Sequence, residues 1–300
     1  MLLTGIFPVD YDPKSDKAIG IPVENTYAFY YTTTSETFPF IFTLIDHIIR
    51  YNQQTVYLFF VEESVESFYS YLTKTVEENH RRRFFKYMAM KKLFFLDATE
   101  SDVEKVKNAI EKIEPEAVKE VETSPLTLFK RVRNLTNVSE VVFYIDRFIK
   151  LKEKYSEIIK GPAIIFLSYS GLVSRIGFDR AFKVLTYLVS KYSWTTGKET
   201  TLLLFMDAKA FRKDELNRVK SLLDGEIVLD SRDVFGHVVN YIRVLRLPMR
   251  TSYISEWVPY IIFKRYPPGV IYNRIEFANY AIRNHKRALQ ESREKKKESQ

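Results

Sequence analysis

Short apolar runs of strand length alternate along this chain with segments of helical period, and that alternation is the tightest constraint on its fold. The runs lie at 27–31, 55–61, 93–97, 141–145, 163–168, 201–206, 226–229, 240–246 and 259–263. Several are apolar at nearly every position, as in TVYLFFV at 55–61 and AIIFLS at 163–168. A strand that is apolar on both sides of the pleat has no face for water, so it belongs inside a parallel sheet covered by helices. Helical period appears at 40–51, 65–80, 101–113, 125–134, 146–158, 177–192 and 211–223. In 177–192, Phe178, Ala181, Phe182, Leu185, Leu188 and Val189 fall on one stripe, the face expected to pack on a sheet. Ser101 and Asp102 suit helix N-caps. The order predicts an α/β fold with a mostly parallel central sheet flanked by helices. The last runs follow one another closely, which predicts a final antiparallel set.

Pro267-Pro268-Gly269 marks the end of the globular part. The expected division is a domain over 1–266 and a basic helical C-terminal extension over 267–300. Residues 274–298 read as one charged helix with Phe277, Tyr280, Ala281, Ala288 and Leu289 on a narrow apolar stripe.

Between the runs 27–31 and 40–50 stands Thr32-Thr33-Thr34-Ser35-Glu36-Thr37-Phe38-Pro39. This is where a strand–loop–helix nucleotide site would carry G-x-x-x-x-G-K-[ST]. Its glycines let backbone N–H groups close around phosphate, its Lys reaches the outer phosphates, and its Ser/Thr holds Mg²⁺. Here there is no Gly, and the only charge is the anionic Glu36. The string occurs nowhere else in the chain.

Composition excludes other chemistry. The chain has no Cys, which removes disulfides, thiol catalysis and Cys-ligated zinc. His47, His80, His237 and His285 are far apart in sequence, and none sits at metal-ligand spacing. No Ser/His/Asp constellation is evident. No apolar run is long enough to span a bilayer and no signal peptide opens the chain, so a cytoplasmic protein without membrane insertion is expected. No cofactor and no metal are expected. No Cys, nine Gly and many Lys, Glu, Ile and Tyr suit a thermophile.

The order of segments resembles the RecA/KaiC-like ATPases of archaea, including the accessory ATPase of the archaellum and the recombinase paralogues. Thr4-Gly5-Ile6 and Gly20-Ile21-Pro22-Val23 look like that family's approach to the P-loop. Val56 to Ser64 (VYLFFVEES) looks like its second strand with paired glutamates, Glu62 and Glu63. Ser168-Tyr169-Ser170-Gly171-Leu172 looks like the end of its Walker B strand, and Gly177 to Leu188 like the helix after it. Leu223-Asp224-Gly225-Glu226-Ile227 is similar to its D-G-x-I segment, and Arg246 to Ser252 (RLPMRTS) to its K-x-R element. The resemblance covers about residues 4–263 and implies a RecA-like P-loop NTPase fold.

The departures fall where ATP would be handled. The P-loop Lys position holds Phe38, and the following Ser/Thr position holds Pro39. The Walker B Asp position holds Leu167, and the K of K-x-R is Pro248, although Arg250 remains. Leu167 offers no hard oxygen to Mg²⁺. Glu62 and Glu63 would be remnants of catalytic carboxylates with no Mg-ATP to act on, or simply charges at a strand end. The expectation is a pseudo-ATPase that is not an enzyme. It would act as a structural or regulatory subunit, as a homo-oligomer or beside an active RecA-like paralogue. Arg250 would reach across the interface.

A second expectation comes from charge. The net charge is +8, and Arg283 to Gln300 holds seven Lys/Arg against three Asp/Glu. Arg81, Arg82, Arg83, Lys86, Lys91 and Lys92 are interleaved with Phe84, Phe85 and Tyr87. Basic groups neutralise phosphates and rings stack on bases, so this segment and Lys286, Arg287, Lys295, Lys296 and Lys297 suit nucleic-acid binding. The competing reading is a helix C-terminus whose cations meet the helix dipole, followed by a buried aromatic strand.

Overall fold

A computed structural model of the chain describes residues 1–2, 4–32, 37–76, 78–99, 108, 129–131, 137–154, 163–192, 200–234, 237–248 and 255–260. The basic tail with Lys286, Arg287, Lys295, Lys296 and Lys297, the interface candidate Arg250, and the caps Ser101 and Asp102 lie outside these residues.

The described strands are β1 (Tyr11–Asp12), β2 (Lys17–Ala18), β3 (Thr26–Tyr31), β4 (Val56–Phe60), β5 (Leu93–Asp97), β6 (Phe129–Arg131), β7 (Ala163–Phe166), β8 (Thr201–Asp207), β9 (Gly225–Val234), β10 (His237–Arg246) and β11 (Val258–Tyr260). The helices are α1 (Phe7–Asp10), α2 (Phe38–Arg50), α3 (Val65–Thr75), α4 (Glu78–Ala89), α5 (Val138–Lys154), α6 (Tyr169–Ile176), α7 (Phe178–Tyr192) and α8 (Lys213–Lys220). Nine strands form one sheet in the order β11-β10-β9-β3-β8-β7-β4-β5-β6. Every pairing from β9 to β6 is parallel, while β9–β10 and β10–β11 are antiparallel. The fold is therefore α/β, with a mostly parallel central sheet flanked by helices and an antiparallel edge.

The expected two-faced burial is observed. Every residue of β4, β5 and β7 is buried. Neighbouring strands interlock through rings: Phe29 of β3 stacks on Phe205 of β8 at 4.9 Å, and Tyr57 of β4 on Phe94 of β5 at 5.2 Å.

Three segments differ from the periodicity reading. The run 141–145 is helical, inside α5, because its apolar residues continue at helical spacing into a segment with charges between them. The segment 65–80 divides into α3 and α4: α3 stops at Val76, whose backbone is extended. Within 125–134, Phe129–Arg131 is a strand added to β5, where edge pairing outweighs helix propensity. In 177–192 the helix begins after Gly177, whose φ of 81° suits Gly and breaks α6 from α7. Val184 joins the buried stripe, and Phe182 is only half-buried beneath the Arg218 guanidinium, 4.6 Å from its ring.

Candidate functional site

The carboxyl ends of parallel strands are where ligands bind in open α/β sheets. Here the ends of β3, β4, β7 and β8 come together around one group of hydrogen bonds. Ser168, just after β7, caps α6 by accepting from the Gly171 N–H at 2.9 Å and donates to Glu62 Oε2 at 2.6 Å. Its hydroxyl is 3.3 Å from Ser170 Oγ, and the Tyr31 hydroxyl at the end of β3 is 3.5 Å from both serines. Ser170 Oγ also accepts from the Asp207 N–H at the end of β8, at 3.2 Å. A Cβ at Gly171 would lie 2.2 Å from Glu62 Cγ and 2.8 Å from Ser168 Oγ, so the Glu62 side chain would have to move to admit one. The space in front of α6 is thus taken by the Glu62 side chain.

Glu63 is exposed and makes none of these bonds. Partial burial, and after it the charge of Glu62, pushes its carboxyl above the usual carboxylate range. Leu167 is buried, and its N–H donates to the Phe59 carbonyl at 3.1 Å as part of the sheet. No oxygen ligand for Mg²⁺ exists at that position. Among the described residues no group of three or more His, Asp or Glu side chains is arranged to hold a metal ion.

The start of α2 is built for packing. Thr37, its N-cap, has helical backbone angles and makes no side-chain capping bond. Phe38 is half-buried, with its ring 5.3 Å from Tyr71, 6.0 Å from Phe68 and 6.5 Å from Phe42. Phe42 stacks on Phe68 at 4.7 Å and meets Phe84 edge-on at 4.9 Å. Phe68 in turn contacts Phe60 and Phe95. Phe38 is therefore one of the partly exposed rings of a cluster joining α2, α3, α4, β4 and β5. Pro39 is buried and has no N–H, so the first turn lacks one of the backbone donors that would hold an anion. Thr33 to Glu36 lie outside the described residues.

The segment 81–92 is resolved into separate roles. Arg81 donates to the Thr73 carbonyl at 2.9 Å, and Arg82 pairs with Glu78 at 2.6 Å on the exposed side of α4. Arg83 reaches both oxygens of Asp46 at 3.2 Å, and Asp46 also accepts from the Tyr87 hydroxyl at 2.7 Å. Lys92 donates to the Gln53 carbonyl at 3.4 Å, Lys86 is exposed, and Lys91 turns the chain with a φ of 56°. Phe84, Phe85 and Tyr87 are buried. The expectation that these rings are free to stack on bases is corrected: their spacing along α4 puts them in the core, leaving the cations outside.

A further buried polar group joins β9 to β3. Glu226 of β9 is buried, accepts from the Tyr30 hydroxyl at 3.0 Å, and pairs with Lys220 at 3.2 Å and Arg246 at 3.3 Å. Burial, and then the Glu226 charge, pushes the Tyr30 hydroxyl well above its ordinary range. The pair Glu226 and Arg246 was legible only as parts of family-like strings, and nothing in sequence links them to Tyr30.

No helix among the described residues is long and apolar enough to cross a membrane. No family model and no curated protein matches the sequence. Among solved structures, a KaiC-like protein from the hyperthermophilic archaeon Pyrococcus horikoshii OT3 is similar over 82% of this chain and 88% of that one, at 16% identity and a TM-score of 0.49.

Proposed function

We propose that this chain is a non-catalytic RecA/KaiC-like protein, a pseudo-ATPase that serves as a structural or regulatory subunit through protein–protein assembly. The observation that carries the reading is the start of α2. The two residues that would meet the phosphates and Mg²⁺ are Phe38, packed among rings, and Pro39, buried and without an N–H. Two further features support it. Leu167 is buried at the Walker B position, and Glu62 is hydrogen-bonded to Ser168 in front of α6. The order of segments along the chain resembles that of RecA/KaiC-like proteins, and side-by-side assembly is carried over from that resemblance.

The test is calorimetric titration of the full chain with ATP in the presence and absence of Mg²⁺, with light scattering on the same sample. The expected result is no Mg²⁺-dependent binding at micromolar ATP and a defined oligomer. Saturable Mg²⁺-dependent binding would overturn the pseudo-ATPase. A monomer at every concentration, alone and with active RecA-like partners, would overturn the assembly role.

A further inference from the structure

The antiparallel edge of the sheet carries a cluster of arginines and rings on its outer face. Along β10, Ile242 and Val244 are buried, while Tyr241 and Arg243 alternate with them on the other side of the strand and are half-buried. The register puts Arg232 of β9 opposite Val239 and Asp230 opposite Tyr241, on that same side. Trp257 stands just before β11, whose Val258 pairs with Ile242. The Arg232 guanidinium lies 4.3 Å from the centroid of the Trp257 ring and 5.3 Å from that of Tyr241. The Arg243 guanidinium lies 5.8 Å from the Trp257 centroid.

Both arginines are anchored through Nε. Arg232 Nε donates to Asp230 Oδ2 at 2.7 Å, and Arg243 Nε to the Ser255 carbonyl at 2.7 Å. Among the described residues, the terminal nitrogens of both arginines and the Trp257 indole N–H donate to no other group. Donors from three side chains therefore surround one half-buried ring, and the carboxylate beside them, Asp230, is already engaged. A guanidinium held through Nε and resting on a ring has given up its rotamer freedom in advance. The edge it has left is two-pronged and matches a carboxylate.

The local charges narrow the anions that such a face can take. Asp230, Asp233 and Glu256 lie close in sequence to Arg232 and Trp257, so the surroundings are not a broad positive field. A nucleic-acid backbone is held by neutralising several phosphates at once. An acidic side chain needs only one directed fork. Trp, Tyr and Arg are also the residues that dominate protein interfaces, and Leu245 of β10, 38% exposed, adds apolar surface nearby.

We propose that this face docks an acidic segment of a protein partner, with its carboxylates taken by Arg232 and Arg243 around Trp257. Such a partner rests on the assembly role proposed above, and not on the loss of ATP chemistry.

The full chain carrying Trp194→Phe keeps Trp257 as its one indole, so tryptophan emission reports on this face. Titration with a short capped oligoglutamate peptide at physiological salt is expected to give a saturable change in emission. Arg232→Gln and Arg243→Lys should each weaken binding about tenfold or more, as loss of a charge-assisted hydrogen bond implies. Arg243→Lys keeps the charge and removes only the fork. Arg82→Gln removes a charge from the exposed side of α4 and should change affinity by less than about twofold. Equal losses in Arg82→Gln and Arg232→Gln would overturn the site in favour of diffuse charge. Undiminished binding in Arg243→Lys would overturn the role of the fork. Tighter binding of an oligothymidylate, weakened by Arg232→Gln, would overturn the protein partner in favour of nucleic acid. Light scattering on the same samples separates this surface from the assembly reading. An oligomer broken by Arg232→Gln supports the surface and identifies the partner as a second copy. An oligomer untouched by Arg232→Gln, in a chain that ignores the peptide, overturns the surface and leaves assembly standing. A monomer that binds the peptide through Arg232 supports the surface and counts against self-assembly.

Discussion

Helix α2 begins in an aromatic cluster and ends beside a cationic pocket. At its first turn Phe38 and Pro39 are drawn into packing with α3, although a helix N-terminus is where backbone dipoles favour an anion. At its last turn, where the dipole disfavours an anion, Arg50 joins Arg83, Lys86 and Lys92 around an open pocket. The backbone's own preference is thus unused at one end and outweighed by side chains at the other. An α/β fold fixes where helix ends lie, but the side chains decide which end is available to a ligand.

The sharpest way to break this comparison is to place polar and charged residues at the closed end. Leu167→Asp would place a carboxylate at a buried position in line with the sheet. A loss of about 3–5 kcal/mol of unfolding free energy in denaturant titration is expected, from an uncompensated buried charge. Mg²⁺ binding without that loss would show that the strand ends are open after all. Phe38→Lys removes one ring from the aromatic cluster. It should cost about 1–3 kcal/mol, less than the ~3–5 kcal/mol for deleting a fully buried aromatic side chain, because Phe38 is only half-buried. No ATP affinity should accompany it, since Pro39 and the missing glycines remain. Gly171→Ala sharpens the picture of how the front of α6 is filled. It should cost about 1–2 kcal/mol by displacing Glu62 and Ser168, and much less in a Glu62→Ala background. Equal costs in both backgrounds would mean that Glu62 does not occupy that space.

The smallest effect concerns His47, in the last turn of α2. His47 is partly buried, with Nδ1 3.1 Å from the Thr43 carbonyl, and burial holds its pKa below the ordinary 6.5. A histidine kept neutral in the fold binds its proton more readily in the unfolded chain. Its contribution is therefore present above about pH 6.5 and is lost as the pH falls below that value. His47→Gln should flatten the fall in stability between neutral and mildly acidic pH, read from denaturant midpoints at each pH.

The sheet was largely legible because parallel strands buried on both faces leave continuous apolar runs, as at Val56–Phe60 and Ala163–Phe166. The misread segment 141–145 shows the limit. Five apolar or aromatic residues in a row look the same in a buried strand and in one stretch of an amphipathic helix. Phe38, Pro39 and Leu167 were singled out by position against a motif; Pro39 and Leu167 are buried and Phe38 is half-buried. The Glu62–Ser168 bond was not legible, because it joins residues 106 positions apart and depends on strands β4 and β7 being neighbours. The basic pocket was half-legible: the cations of 81–92 were visible in sequence, but Arg50 comes from α2, and only the packing of α2 against α4 brings them together.

The pairing of β3 sets the order in which this molecule can be made. Its neighbours are β8, at Thr201–Asp207, and β9, at Gly225–Val234. During synthesis the strand TYAFYY leaves the ribosome well before either of its partners. Until then a largely aromatic strand has two open edges, a state prone to pair with the wrong chain. The sheet's most central contacts are also among its longest-range ones, which makes their formation slow relative to the local helix pairs. A ribosome-bound chain that ends before residue 201 should therefore be captured by holding chaperones, and one extended past residue 234 should be released from them.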